Sequence, residues 1–406
     1  MTDLPGALVI GANLNGLTIA RSLGRNGLPV CMVTPPNIRL ASSSRYTVRT
    51  FPWPDAEEED QAAYLMELAE IHDLKQWVLI PTSDASAALM AKFHSLLSRR
   101  YRVSTPPWNV LRWAYDKKLT YQLAEHAQVD YPSTICPTSE SDLKAAPFSF
   151  PAILKPATHT VVNRFTADKA WPVSNAKELL ERYRDARELV SSESILVQEL
   201  IPGGGESQFS YAALCCNGRP IASLTARRTR QYPVDFGYSS SFVETLDVPE
   251  IIAPSERLLA AIQYSGLVEV EYKFDARDRR YKLLDINPRL WTWSALGREA
   301  GVDFPFLLWQ MMTRRNIPTQ TGRAGARWVR MSTDVPAALH EILHGRLSLR
   351  AYLRSLRRPI QFALMAKDDP LPGLLELPMF IYKHLHSHYD NLRSALPSAR
   401  SYASKN

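Results

Sequence analysis

Between residues 267 and 291 the chain gathers Glu269, Glu271, Asp285, Asn287 and Arg289, a set able to hold a cation and an anion side by side. Side chains alternate along a strand, so Glu269 and Glu271 share one side of their segment, as do Asp285 and Asn287 of theirs. Carboxylates on a buried face are costly unless a cation or good hydrogen bonds meet them. An oxygen-only ligand set suits Mg²⁺, which takes one or two carboxylates together with substrate phosphates. Arg289 adds a planar fork suited to a phosphate or carboxylate. A surface hairpin with solvated charges is the alternative reading of the same stretch.

The element that must position these groups is a β-hairpin. Val268 to Phe274 alternates apolar and polar residues, ARDRR at 276–280 turns the chain, and Tyr281 to Ile286 starts the return strand. Upstream, Lys117 and Lys118 begin a helix with Leu119 and Leu123 at i and i+4. Lysines at a helix start oppose the macrodipole, which points to a phosphate partner. Ala152 to Leu154 forms a strand that runs into Lys155, and ILVQELIPGGGESQFSYAAL at 195–214 reads as strand, glycine turn and strand. Ile221 to Thr225 is a further strand, with Arg227, Arg228 and Arg230 crowding its end. Such a cluster suits an anionic donor or its acyl phosphate. Which arginine serves is left open, and an exposed basic turn is the alternative.

The order of Glu271, Asp285, Asn287, Pro288 and Arg289 resembles the metal-binding hairpin of the ATP-grasp superfamily, which includes biotin carboxylase, carbamoyl phosphate synthetase and many carboxylate–amine ligases. Asp116-Lys117, Lys155 and Glu199 to Glu206 stand in the order that the superfamily requires. The resemblance implies a nucleotide clasped between two α+β subdomains. It assigns Lys117 and Lys155 to the ATP phosphates, Lys169 to a supporting role, the backbone near Glu199 and Leu200 to the adenine edge, and Glu206 to the ribose. Mg²⁺, with Mn²⁺ as a substitute, falls to Glu271, Asp285 and Asn287; Arg289 with Arg227 or Arg228 falls to the carboxylate substrate. The family usually has Glu where this chain has Asp285. Many relatives have a glycine-rich phosphate loop where residues 157–167 contain no glycine, so His159, Thr160, Asn163 and Arg164 are expected to stand in for it.

The opening segment ALVIGANLNGLTIARSLGRNGLPVCMVT reads as strand, glycine turn, helix and strand, the start of a doubly wound α/β domain. A dinucleotide site is disfavoured. Asn13 replaces the second glycine of the fingerprint, and no acidic ribose ligand follows Val33. Asp84, after the strand Trp77 to Ile80, is read as a helix N-cap in preference to a ligand for a substrate ammonium group. The fold expected is a Rossmann-like pre-ATP-grasp α/β domain (1–105), an α+β ATP-grasp domain (106–322, its subdomains meeting at 190/191) and a helical C-terminal extension (323–406) with a disordered tail.

The chain has 406 residues, 45% of them hydrophobic and 22% charged, with a formal charge of +7. Two or three domains fit that length. Lys and Arg are spread along the chain, which speaks against nucleic acid and for small anionic substrates. Cys31, Cys136, Cys215 and Cys216 lack C-x-x-C spacing, so reduced thiols and no structural zinc are expected. A cytoplasmic location follows from the lack of a basic leader or an apolar run of about 18 residues. The leucine-spaced basic stretch LHEILHGRLSLRAYLRSLRR is read as a packing helix or homodimer contact in preference to a membrane-surface element. The resemblance to the ATP-grasp superfamily implies an ATP-dependent ligase joining a small-molecule carboxylate to an amine through an acyl phosphate. A carboxylate–thiol ligase, a phosphoryl transferase and a nucleotide-binding regulatory protein are the alternatives.

Overall fold

The apolar run Ala7–Ile10 (β1) is buried at all four positions, as a parallel strand covered on both faces must be. With Val30–Thr34 (β2), Thr47–Pro52 (β3), Val78–Pro81 (β4) and Arg102–Val103 (β5) it forms a parallel sheet of order β3-β2-β1-β4-β5. At the turn after β1, Gly11 has φ 111°, and a Cβ there would strike the Thr82 hydroxyl. Asn13 caps the following helix, Leu14–Arg25, by accepting from the Gly16 N–H at 3.1 Å. After β4, Ser83 and not Asp84 caps the helix Asp84–Lys92, exchanging hydrogen bonds with Ser86 in a capping box. Asp84 is thereby released for another partner. The structure is a computed structural model that describes residues 4–144, 150–157, 163–168, 170–234, 239–357 and 359–376.

A second sheet is antiparallel. It joins Thr134–Ile135 (β6), Ala152–Pro156 (β7), Trp171–Val173 (β8) and Ile195–Glu199 (β9) in the order β6-β9-β7-β8. The helix Ala176–Arg187 lays Leu179, Tyr183 and Ala186 onto it and turns its Glu and Arg residues to water. Because β9 pairs with β6 and β7, a border at 190/191 would cut this sheet.

The third sheet comprises Gln208–Cys216 (β10), Arg219–Tyr232 (β11), Ser239–Thr245 (β12), Gly266–Asp275 (β13), Arg280–Asn287 (β14), Gln320–Thr321 (β15), Arg327–Val329 (β16) and Gln361–Phe362 (β17). Its order is β14-β13-β10-β11-β12-β16-β17, with β15 on β11. The stretch after 323 is therefore not purely helical: β16 and β17 extend the large sheet, with Trp328 and Val329 fully buried. The expected tail lies outside the described residues.

One apolar cluster joins the first and third sheets, since Leu17, Leu23, Ala212, Leu224, Trp291 and Trp309 share it. A polar clasp reinforces the join. Buried Asp369 accepts from Arg21 Nε at 2.9 Å, Ser44 Oγ at 2.7 Å and the Arg45 N–H at 2.9 Å. Asp368 takes both Arg25 nitrogens, at 2.7 and 2.8 Å, and the Tyr46 hydroxyl at 2.7 Å. Removing one partner of a buried pair leaves an uncompensated charge. Asp369→Ala is expected to cost about 3–5 kcal/mol, read as a marked fall in the thermal unfolding midpoint; Asp368→Ala, in a half-buried pair with Arg25, should cost less.

Candidate functional site

The register of the β13–β14 hairpin sets Glu271 opposite Asp285 and Glu269 opposite Asn287, so all four side chains share one face. That face is dense with acceptors, and donors are supplied to it from three neighbours. Glu269, buried, accepts from Ser210 Oγ at 2.9 Å, Trp293 Nε1 at 3.0 Å and Asn287 Nδ2 at 3.1 Å. Burial, and then the Glu271 charge, push its carboxyl up to about 8. Glu271 accepts from Arg228 Nη2 at 3.2 Å and Asn287 Nδ2 at 3.3 Å.

Cations arrive from each surrounding element. Asp116 caps the helix Lys117–His126 by accepting from the Lys118 N–H at 2.9 Å, which aims Lys117 into an ion pair with Asp285. Burial opposes the Lys117 charge, but Asp285 outweighs it and raises the pKa. Lys155, at the end of β7, donates to Tyr121 Oη at 2.6 Å and forms no ion pair among the described residues. Burial first, and then the Lys117 charge, lower it from 10.5 to about 7. Arg289 spans to Asp84 with Nε at 2.8 Å and Nη2 at 3.2 Å, linking the end of β14 to the carboxyl end of β4. Ligands bind at that end of open α/β sheets. Asn15 fastens the same junction by donating to the Thr82 and Leu290 carbonyls at 3.1 and 2.9 Å.

These groups line a cleft of about 450 Å³, whose walls also include Tyr115, Ile153, Gln198, Gln208 and Leu284. Lys117, Lys155 and Arg228 converge there as a polyphosphate would need. Among the described residues no three His, Cys, Asp or Glu side chains stand as a metal cluster. The opposed Glu271 and Asp285 supply two carboxylates, which fits a hard cation that completes its shell with phosphate and water oxygens.

Other expected residues fall elsewhere. Arg227, Arg228 and Arg230 lie inside β11, whose pairing with β12 slips at Arg228/Arg230. A bulge re-aims side chains. Arg228 faces the cleft, whereas Arg227 turns to the opposite face and pairs with Glu244 at 2.6 Å. Arg230 is turned from the cleft as well and is bound by Asp334 at 2.8 and 2.9 Å. Neither is placed to hold a substrate in the cleft. Glu199 accepts from the Ser133 N–H at 3.0 Å, Lys282 at 3.2 Å and Arg277 at 3.0 Å, tying β9 to the hairpin turn. The N–H groups of Glu199 and Leu200 already donate to the Ser133 and Pro151 carbonyls. Glu206 is exposed and accepts from its own loop, at the Gly204 N–H. Asn163 caps the helix Arg164–Ala167. Lys169, His159 and Thr160 lie outside the described residues. Tyr121 carried no sequence signal beyond its place on the Lys117 helix, nor did Gln198 and Gln208 beyond their strands.

No family model matches the chain. It is 24% identical over 237 residues to a D-aspartate ligase from Enterococcus faecium, a match covering 53% of each sequence. The chain thus spans about half the length of the curated relative it matches. Among solved structures, an L-amino acid ligase from Bacillus licheniformis superposes with a TM-score of 0.59 at 16% identity, over 77% of this chain and 75% of that one. The biotin carboxylase domain of Hydrogenobacter thermophilus 2-oxoglutarate carboxylase, solved with MgADP, gives 0.64 at 12% identity over 80% and 74%. The fold is that of the ATP-grasp ligases.

Lys155 yields a prediction with opposite signs for stability and binding. A lysine held near 7 when folded and at its ordinary 10.5 when unfolded penalises folding fully below about 7, and the penalty fades as pH rises from 7 towards 10.5. Lys155→Met should raise the thermal midpoint at pH 6 more than at pH 10, while weakening the binding of inorganic tripolyphosphate about tenfold or more in calorimetry.

Proposed function

We propose that the chain is an ATP-dependent ligase that activates a carboxylate as an acyl phosphate and joins it to an amine. The observation that carries this reading is the charge pairing of the cleft: Lys117 with Asp285 and Arg228 with Glu271, beside Lys155. Each pair is a cation suited to phosphate against a carboxylate suited to a metal. MgATP and the substrate carboxylate together supply these counter-charges, so Lys117 turns to phosphate oxygens, Arg228 to the substrate carboxylate, and Glu271 and Asp285 to the metal without stranding any of them. The MgADP bound in a protein of the same fold supports the choice of nucleotide and metal.

Glu271 and Asp285, with Asn287 beside them, would hold Mg²⁺, which would supply positive charge to the phosphates during transfer. Lys117 and Lys155 hold the phosphates from the opposite wall. Lys155 near its neutral point gains its proton as the phosphates arrive, since a nearby anion favours the charged form. Arg228 and Arg289 hold the carboxylate in line with the γ-phosphoryl group. The carboxylate oxygen attacks phosphorus, ADP leaves, and the amine nitrogen then attacks the acyl carbon and expels phosphate. The Arg289–Asp84 pair suits a zwitterionic substrate, which brings a carboxylate for the one and an ammonium group for the other. The amino-acid ligases among the similar proteins favour that substrate class.

ADP release measured against a panel of amino acids and simple carboxylates tests the reading, and no release with any of them would sink it. With an active pair in hand, Asp285→Asn is expected to lower kcat about 100-fold or more, as losing a charge-stabilising contact in a transition state does. Asp84→Asn should raise the KM for an amino-acid substrate about tenfold, the scale of a charged hydrogen bond, with the KM for ATP unchanged. An unaltered amino-acid KM would remove Asp84 from the substrate site.

A further inference from the structure

The helices Met331–Leu343 and Leu349–Ser355 are held by their inner sides to one buried guanidinium. Arg230 bonds Asp334 of the first and Ser355 of the second, the latter at 3.1 Å, and lies 5.1 Å from the Tyr352 ring. Their outer sides carry leucines that nothing covers among the described residues. Val335, Leu339 and Leu343 recur every fourth position and are 46%, 55% and 76% exposed; Leu349 and Leu353 are 59% and 58% exposed. Apolar side chains so exposed and so regular mark an interaction surface.

The charge beside them is of one sign. Arg346, Arg350, Arg354 and Arg357 are exposed, and Arg350 and Arg354 stand one helical turn apart, each next to a leucine of the stripe. Between residues 335 and 357 the only carboxylate is Glu341, which Arg346 holds at 2.8 Å. We propose that this face docks on an anionic phospholipid surface. Leucines enter the acyl boundary while arginines reach the headgroups, the division of labour of an interfacial amphipathic helix. Among the described residues no helix is long and apolar enough to cross a membrane.

Charge separates this partner from the others. A second copy in a two-fold contact would set this basic patch against a second basic patch. Residues 377–406 carry Lys383, Arg393, Arg400 and Lys405 against Asp390, the same sign as the patch. Nucleic acid would satisfy the arginines and leave the leucines in water. A bilayer with acidic headgroups answers both. The proposal is independent of the chemistry in the cleft.

Sedimentation of the full chain with vesicles tests it. The protein should pellet with vesicles of phosphatidylcholine mixed with phosphatidylglycerol, not with phosphatidylcholine alone, and less at high salt. Arg350→Gln with Arg354→Gln should lower the partition coefficient about 25-fold, at roughly fivefold per arginine near an anionic surface. Leu349→Ser with Leu353→Ser should lower it similarly. All four positions are exposed, so thermal midpoints should match the parent. Failure to pellet with the anionic vesicles, or equal pelleting of parent and variants, overturns the proposal. So does light scattering that finds a parent dimer and monomeric variants, which would give the face to a second copy.

Discussion

Two carboxylates facing each other across a hairpin repel, and Arg228 and Lys117 answer Glu271 and Asp285 in turn. Buried charge must be paired, and three parts of the fold exist at this spot to pair it. Strand β11 delivers Arg228, the capped helix start delivers Lys117, and the small sheet delivers Lys155 on β7. The turn after β4 adds Asp84 to steady Arg289. None of these elements is near the hairpin in sequence, so the compensation of a few oxygens fixes how the three sheets meet.

The same pairing makes the empty cleft electrically quiet. Most cations there have a carboxylate and most carboxylates a cation, so the site costs little to maintain without a ligand. Lys155 is the exception among the described cations of the cleft. It leans on the Tyr121 hydroxyl and meets the demand for neutrality by giving up its proton more readily. A site of this kind rewards a ligand that carries both signs and gives little to one that carries a single sign, because any one-sided exchange strands a buried partner.

How much of this the sequence held depends on the range of the physics involved. Alternation is local, so the hairpin was legible, with Glu269 and Glu271 on one side of its first strand and Asp285 and Asn287 on one side of its second, as was the strand–turn–helix opening. Partner choice is not local. Asp84 looked like a cap because capping residues are read from their neighbours, yet Ser83 one position earlier does that work and Asp84 crosses to Arg289. The arginine cluster looked like one anion clamp because spacing counts residues and does not see pairing. Once the strand was found to run through it, three arginines had three separate partners, Glu244, Glu271 and Asp334. The C-terminal stretch looked wholly helical because strands as short as β16 and β17 have too few residues to show a period.

The bulge between Arg228 and Arg230 has a consequence for how this strand tolerates change. With a strict period of two, both residues would face the cleft; the slipped register is what sends the second to the helices behind. An insertion or deletion of one residue there would exchange the two environments, placing a polar neighbour against Asp334 and an extra guanidinium, or none, beside Glu271. Elsewhere in β11 a substitution alters one contact. Across these few positions the frame of the strand is itself the feature under constraint, and length there is less negotiable than identity.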